Sequence, residues 1–192
     1  MIIVLKDKKK VTFAFSNWII GMSNCKHYLM EEENLPYRTY KDKHLIVASD
    51  ETNRSSDVLL CNKKFMSLIY NHTLNHDYIV RSVIPELKRI IYSEELVDKD
   101  SGKWSNNLFI ANNKNIWRIN RDFYVEEYED FCAWGCGSYD FLMGILDNNR
   151  HLPTEDRIAD VIQNYGLYAN DDLYPVAIVD TMKLTNKFVS EL

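Results

Sequence analysis

The stretch that decides the fold is LFIANNKNIWRINRDFYVEEYEDFCAWGCGSY, residues 108–139. Its apolar run LFIA, polar turn NNKN and second apolar run IWRI predict a β-hairpin with Asn and Lys at its tip. Phe123–Val125 and Phe131–Trp134 are rich in β-forming residues and predict two further short strands. The sequence GCGS then breaks the last strand, and a helix is expected from Tyr139 to about Asp147.

The elements on either side of this stretch predict an α+β fold. Strands are expected at Ile2–Leu5, Val11–Phe15, His44–Ala48 and Pro175–Thr181, and a long loop is expected over Asn17–Asp42. Two helices are expected to end near Tyr70 and Glu94, and a last helix is expected to begin at Pro153. Pro85 either kinks the second helix or moves its start to about Ser82. The order lacks alternating βαβ units, which disfavours a doubly wound parallel sheet. Paired helices between sets of antiparallel strands predict a four-layer αββα sandwich, two antiparallel sheets each flanked by a helix pair, in one domain over 1–192.

Composition restricts the classes of function. Hydrophobic residues make up 46% of the chain and charged residues 27%, which is typical of a globular protein. The 23 basic and 28 acidic residues give a net charge of −5, so neither a nucleic-acid partner nor an anionic membrane partner is expected. No apolar run reaches the roughly 20 residues of a membrane span, and the start MIIVLKDKKK is too short for a signal peptide. A cytoplasmic protein is therefore expected.

The cysteines and histidines do not form a pattern typical of a metal site. The four cysteines stand at 25, 61, 132 and 136 without a CxxC pair, and are expected to be buried, inert thiols. The histidines at 27, 44, 72, 76 and 151 are scattered, and His72 and His76 are expected to bracket a helix junction. No metal or other cofactor is expected. GCGS is interpreted as a tight turn with Ser138 as the helix N-cap, and Cys25 beside His27 as weak evidence for a nucleophile–base pair.

The order of elements resembles that of proteasome subunits and bacterial HslV-type peptidases, which have the N-terminal-nucleophile hydrolase fold. Three stretches carry the resemblance: IIV with VTFA within 2–14 resembles the opening hairpin, 108–139 resembles the strands and the Gly-Ser-Gly turn that opens a helix, and the last helix with PVAIVD resembles the closing helix and strand. The resemblance spans nearly the whole chain. It implies the four-layer fold and a homo-oligomer, either a dimer or a ring, with a partner protein or peptide as a further expectation.

The resemblance also implies a peptidase mechanism whose residues can be sought in this chain. In the family, a Thr, Ser or Cys at the mature N-terminus attacks the peptide carbonyl. Its own α-amine is the base, and a nearby Lys lowers the pKa of that amine. Here Met1 stands at the nucleophile position, and the bulky Ile2 is expected to block removal of the initiator methionine.

The remaining family positions also differ in this chain. The position of the family's aspartate falls at Ser16 or Asn17, and no lysine stands at the family's lysine position near Asn34, where only Lys26 and Lys41 are within reach of the loop. Residues within Ser49–Arg54 replace the oxyanion glycines, and Cys136 replaces the turn serine between Gly135 and Gly137. A carboxylate is available late in the chain, at Asp171 or Asp172. We therefore expect no catalytic residue and a catalytically degenerate, proteasome-like assembly or interaction subunit. The alternative is an active peptidase or amide hydrolase with a processed N-terminus, or with Cys25 or Cys136 as a displaced nucleophile. Whether the protein is an enzyme depends on which of these holds.

Overall fold

The computed structural model describes residues 1–7, 10–16, 37–40, 45–50, 54–98, 100–135, 139–169, 176–180 and 187–189. The strands are β1 (Ile2–Lys6), β2 (Val11–Ser16), β3 (Tyr37–Tyr40), β4 (Leu45–Ser49), β5 (Leu108–Ala111), β6 (Ile116–Ile119), β7 (Val125–Tyr128), β8 (Phe131–Trp134), β9 (Val176–Asp180) and β10 (Lys187–Val189). The helices are α1 (Arg54–Cys61), α2 (Lys63–Tyr70), α3 (His76–Tyr78), α4 (Ile84–Ser93), α5 (Tyr139–Asn148) and α6 (Thr154–Ala169), and a π-helical turn (Ile79–Val83) joins α3 to α4.

The strands form two five-stranded sheets. The first sheet has the order β10-β9-β2-β1-β8 and the second has the order β3-β4-β5-β6-β7. All neighbouring strands in both sheets are antiparallel. The predicted hairpin of β1 and β2 therefore lies at the centre of the first sheet, and the predicted β5–β6 hairpin lies within the second.

Alternation of side chains along the strands builds the layers. Ile2 and Val4 face the second sheet and pack with residues such as Phe109, whereas Ile3 and Leu5 face α5 and α6. On the far side of the second sheet, a third buried cluster joins β4–β7 to the layer formed by α1–α4. The predicted four-layer αββα sandwich of two antiparallel sheets is confirmed.

The helical layer over the second sheet differs in detail from the sequence-based expectation. A single helix ending near Tyr70 is wrong, because Asn62 interrupts it and caps α2 by accepting a hydrogen bond from the Phe65 N–H at 2.9 Å. The second predicted helix is continuous through Pro85. The π-helical turn, in which the Ile84 N–H donates to the Ile79 carbonyl, widens the helix just before the proline, whose missing N–H and ring disturb an α-helical turn.

Three strand predictions also need correction. Tyr37–Tyr40 is a strand although the expectation placed it in a loop, and Lys187–Val189 forms an additional edge strand. Phe123 is not in a strand: its φ of 62° places it in a turn, and β7 begins only at Val125. None of the helices in the described part of the chain combines the length and the apolar character that crossing a membrane requires.

Candidate functional site at the start of β1

The candidate site lies at the end of the sandwich where β1 begins. Ile2 pairs with Phe15 of β2 and with Trp134 of β8, so Met1 adjoins the ends of both neighbouring strands. The guanidinium carbon of Arg118 lies 4.0 Å from the centroid of the Trp134 ring, across the gap between the sheets. In the second sheet, Arg118 pairs with Phe109, and Phe109 pairs with Ala48 of β4. β4 therefore also ends at this end of the sandwich.

Met1 is packed into the protein core at this end. Its side chain is 4% exposed and belongs to the cluster between the first sheet and α5 and α6. A Cβ atom added to Gly135 would lie 3.3 Å from both Cβ and Cγ of Met1, and 3.6 Å from Cδ1 of Leu142. The absence of a side chain at Gly135 is what lets Met1 pack there. The position directly before β1 thus holds a thioether, which has no proton to give up and is a poor nucleophile toward an amide.

An ion pair between the buried Arg118 and the partly buried Glu126 lies beside the candidate site, between the two sheets. The Nη2 of Arg118 donates to Oε1 of Glu126 at 2.9 Å, and its Nε lies 2.8 Å from Oε2. The Tyr128 hydroxyl donates to the same Oε2 at 2.6 Å. The pairing of Arg118 with Glu126 and its stack on Trp134 hold β8, the strand that leads into Gly135, against the second sheet. This cluster is not predicted in the sequence analysis. Alternation along IWRI could have indicated it: Trp117 faces the helices, so its neighbour Arg118 has to face the gap between the sheets.

The segment after β4, expected to replace the oxyanion glycines, is described up to Asp50. The N–H of Asp50 donates to the Asn107 carbonyl at 3.2 Å. Its carboxylate accepts from the N–H of Asn107 at 2.6 Å and from Nδ2 of Asn107 at 2.5 Å. The backbone N–H at Asp50 is therefore engaged within the protein, and is not presented to a developing oxyanion.

Hydroxyl groups next to this segment form a buried network that holds α1 against the second sheet. Ser49 Oγ accepts from Ser56 Oγ at 2.9 Å and from Nδ2 of Asn106 at 3.0 Å. The indole N–H of Trp104 donates to Ser55 Oγ at 2.6 Å. All of these side chains are buried. The network satisfies the polar groups at the start of α1, which is a structural role for its serines.

The cysteines differ from the expectation of four buried thiols. Cys132 is buried between the sheets, and burial raises the pKa of its thiol to about 12, so it remains protonated and unreactive at neutral pH. Cys61 is exposed, because Leu59 and Leu60 are the residues that α1 buries here. Cys25 and Cys136, the two candidate nucleophiles, lie outside the described residues.

Other residues singled out in the sequence fall partly within the described ranges. Those outside them are Asn17, Lys26, His27, Asn34, Lys41, Gly137, Ser138, Asp171 and Asp172. For Ser16, the structure describes only its place in β2, where it pairs with Val176 of β9. His72 and His76 bracket the junction of α2 and α3 as expected, and the His72 ring stacks on Tyr78 with centroids 5.0 Å apart. Within the described ranges, no group of three or more His, Cys, Asp or Glu is arranged to hold a metal ion.

Comparisons with known proteins identify relatives of the fold. No protein-family model matches the chain, and no curated protein matches it. BPH of Thiobacillus denitrificans superimposes with a TM-score of 0.65 at 16% identity, covering 96% of this chain and 98% of that one, and is also known in complex with epoxomicin. HslV of Trypanosoma brucei gives 0.54 at 10% identity, covering 93% and 97%. Anbu of Hyphomicrobium sp. strain MC1 gives 0.56 at 10% identity, covering 98% and 87%. These similarities show that the chain has the proteasome-type, N-terminal-nucleophile hydrolase fold.

Proposed function

We propose that the protein is a catalytically degenerate, proteasome-like subunit that acts through assembly or interaction rather than peptide hydrolysis. The observation that carries the proposal is the burial of Met1. The position before β1 is filled by an apolar side chain that packs against Gly135 and Leu142. A nucleophile in an enzyme of this type has to reach its substrate with a hydroxyl or thiol, and a packed thioether supplies neither.

The environment of the site supports the same proposal. The Asp50 N–H is bonded to Asn107, and the nearby cation, Arg118, is committed to Glu126 and Trp134. Neither group is left in place to stabilise an oxyanion or to lower the pKa of an amine at residue 1. We also propose a homo-oligomer, either a dimer or a ring, in a cytoplasmic protein, as the resemblance to proteasome subunits implies; the similarity of the fold to HslV and Anbu supports this part of the proposal.

Peptide turnover and solution mass together test this function. Purified protein should hydrolyse short fluorogenic peptides no faster than a buffer blank, while an HslV-type peptidase assayed in parallel releases fluorophore. Light scattering at micromolar concentration should give a mass at least twice the chain mass of 22.7 kDa. Turnover that disappears in Cys25→Ser or Cys136→Ser would instead establish the active alternative, and a monomer mass would exclude the assembly role.

A further inference from the structure

A cavity of about 260 Å³ lies between the tip of the β5–β6 hairpin and the segment that follows α2. We call it the hairpin cavity. Leu45 and Ile69, which are buried, and Leu74, which is partly buried, give it apolar surface. The cavity therefore combines polar groups from two separate segments with apolar side chains of the core. Its polar lining residues are Asn71, His72, Thr73, Asn112, Asn113 and Lys114.

The hairpin side of the cavity is a turn that internal hydrogen bonds hold in place. The Oδ1 of Asn112 accepts from the N–H groups of Lys114 and Asn115 at 2.8 and 3.0 Å, and the Asn112 N–H donates to the Asn115 carbonyl at 3.0 Å. Lys6, at the end of β1 away from Met1, donates from its ammonium to the Lys114 carbonyl. The backbone of this turn is thus ordered before any ligand binds, which lowers the entropic cost of binding.

The helical side of the cavity is also fixed, at the C-terminal end of α2. Asn71 donates from its N–H to the Ser67 carbonyl at 3.0 Å and from Nδ2 to Ser67 Oγ at 2.7 Å. The Tyr78 hydroxyl donates to the Leu68 carbonyl at 3.1 Å, and the His72 ring stacks on Tyr78. Two carbonyls of the last turn of α2 are therefore already hydrogen-bonded. Their engagement reduces the negative charge that the end of this helix would otherwise present to a ligand.

The electrostatics of the hairpin cavity favour an anion. Among the lining residues that the structure describes there is no Asp or Glu, although the chain has 28 acidic residues and a net charge of −5. Within the same described ranges, Lys114 forms hydrogen bonds through its backbone N–H and carbonyl, and its ammonium pairs with no carboxylate. The carboxylate beside the turn, that of Glu127, accepts from Nδ2 of Asn115. The cavity thus offers a positive charge together with amide, hydroxyl and imidazole donors.

We propose that the hairpin cavity binds a small phosphate monoester. Arginine, whose planar fork matches a carboxylate, does not line the cavity in the described part of the chain, whereas separate donors around one lysine suit a tetrahedral phosphate. The volume lies just below the roughly 300–1,000 Å³ of sites for drug-sized ligands, so the organic group has to be small. Leu45, Ile69 and Leu74 supply the apolar surface for that group. This binding site goes beyond the proposed assembly function and does not depend on it.

Calorimetric titration of the purified chain with matched probes tests the ligand class. Phenyl phosphate should bind saturably at one site per chain. Benzoate, which has the same ring and a planar carboxylate, should bind at least about tenfold more weakly. Inorganic phosphate should compete with phenyl phosphate but bind more weakly, because it lacks the organic group. Benzoate binding as tightly as phenyl phosphate would contradict the phosphate assignment, and inorganic phosphate binding as tightly would contradict the monoester.

Single substitutions at exposed positions test the location of the site. Lys114→Gln should weaken phenyl phosphate binding by about tenfold or more, and Thr73→Val, which removes a hydroxyl at nearly constant shape, by at least about threefold. Lys63→Gln is the matched control, because Lys63 is an equally exposed lysine at the start of α2 that does not line this cavity. Urea melts establish that each variant folds. The absence of saturable binding to wild type, a folded Lys114→Gln variant that binds like wild type, or an equal loss in Lys63→Gln would overturn the proposal.

Discussion

At the scale of single residues, Met1 and Gly135 depend on each other. An alanine at 135 would place its methyl group 3.3 Å from Met1 Cβ and Cγ, closer than ordinary van der Waals contact. We expect Gly135→Ala to lower the free energy of unfolding by about 1–2 kcal/mol, because the neighbouring core is closely packed. Urea denaturation followed by tryptophan fluorescence measures this. Gly144→Ala is the matched control: the added methyl group meets nothing within 4 Å on α5 and should stabilise the helix by up to about 1 kcal/mol.

Replacing Met1 should not by itself create an enzyme. A Met1→Thr chain, made with an initiator methionine that aminopeptidase removes, would carry a hydroxyl at residue 1. The Asp50 N–H would still be bonded to Asn107. We expect turnover of fluorogenic peptides to stay at the level of the blank, because the new α-amine base would lack the lysine that tunes it in the family, and a nucleophile without oxyanion partners gains little. Robust hydrolysis by this variant, with wild type inactive, would show that the rest of the machinery is intact.

Residue-level prediction from the sequence worked where burial follows strand alternation and failed where tertiary contacts decide. The continuous apolar run IIVL predicts a strand, and β1 is buried on both faces because alternate side chains enter the two cores that flank it. The β propensity of Phe123 predicts a strand, but the turn in which its N–H donates to the Asn120 carbonyl, together with its stack on Trp104, holds it at positive φ. The ion pair of Arg118 with Glu126 needs a partner from another strand, which no local pattern specifies.

At the scale of elements, Asn62 separates α1 from α2 and determines where α2 begins. Its side chain accepts the Phe65 N–H at 2.9 Å, which satisfies a donor that the helix itself leaves free. Asn62→Ala should therefore cost about 1 kcal/mol of unfolding free energy, whereas Asn62→Gly should cost only a few tenths. Thermal melts of the two variants against wild type measure the difference. Equal losses for both would mean that the side chain does not act as a cap.

A carboxylate clamp connects α2 to α4 and makes their packing sensitive to pH. Glu86 accepts from Nε and Nη2 of Arg89 at 2.9 and 2.8 Å and lies 3.2 Å from Nζ of Lys64. The Arg89 hydrogen bond, with Lys64, lowers the pKa of Glu86 from 4.5 to about 2. The stabilisation is therefore fully present above pH 4.5 and is lost as the pH falls toward 2.

Glu86→Gln tests this pH dependence. The variant should lose about 1–2 kcal/mol of unfolding free energy near neutral pH, a modest value because Lys64 and Arg89 lie largely in solvent. Its stability should also change less than that of wild type between about pH 6 and about pH 3. The control is Asp77→Asn, which removes a pair with Arg81 whose side chains are 72% and 78% exposed. Parallel pH profiles for wild type and Glu86→Gln would contradict the clamp.

Element prediction depended on how strongly each segment is patterned. The β5–β6 hairpin and α5 have clear turn and breaker signals, and both were correct within a residue or so at their ends. β3 has the short polar sequence YRTY and forms a strand because it pairs with β4 at the edge of the sheet. The Pro85 helix could be identified, but its π-helical turn arises from how the helix accommodates the proline within a packed layer.

At the scale of the whole molecule, the layered architecture could be predicted because the order of paired helices and strand groups admits few arrangements. The strand orders within the sheets were beyond the sequence, since they depend on long-range pairing such as β2 with β9. Of the candidate site, the sequence identified residue 1 and the glycine turn. It gave no sign that Asp50 and Asn107 would join through their backbones and side chains.

Intact-mass spectrometry of the purified protein, before and after incubation with epoxomicin, tests the central claim most directly. We propose that the residue before β1 is a packed methionine and that no nucleophile acts there. We expect an untreated mass that includes Met1, and no epoxomicin adduct after treatment. An adduct mapped by peptide sequencing to a Thr, Ser or Cys at a processed N-terminus, or to Cys25 or Cys136, would contradict it.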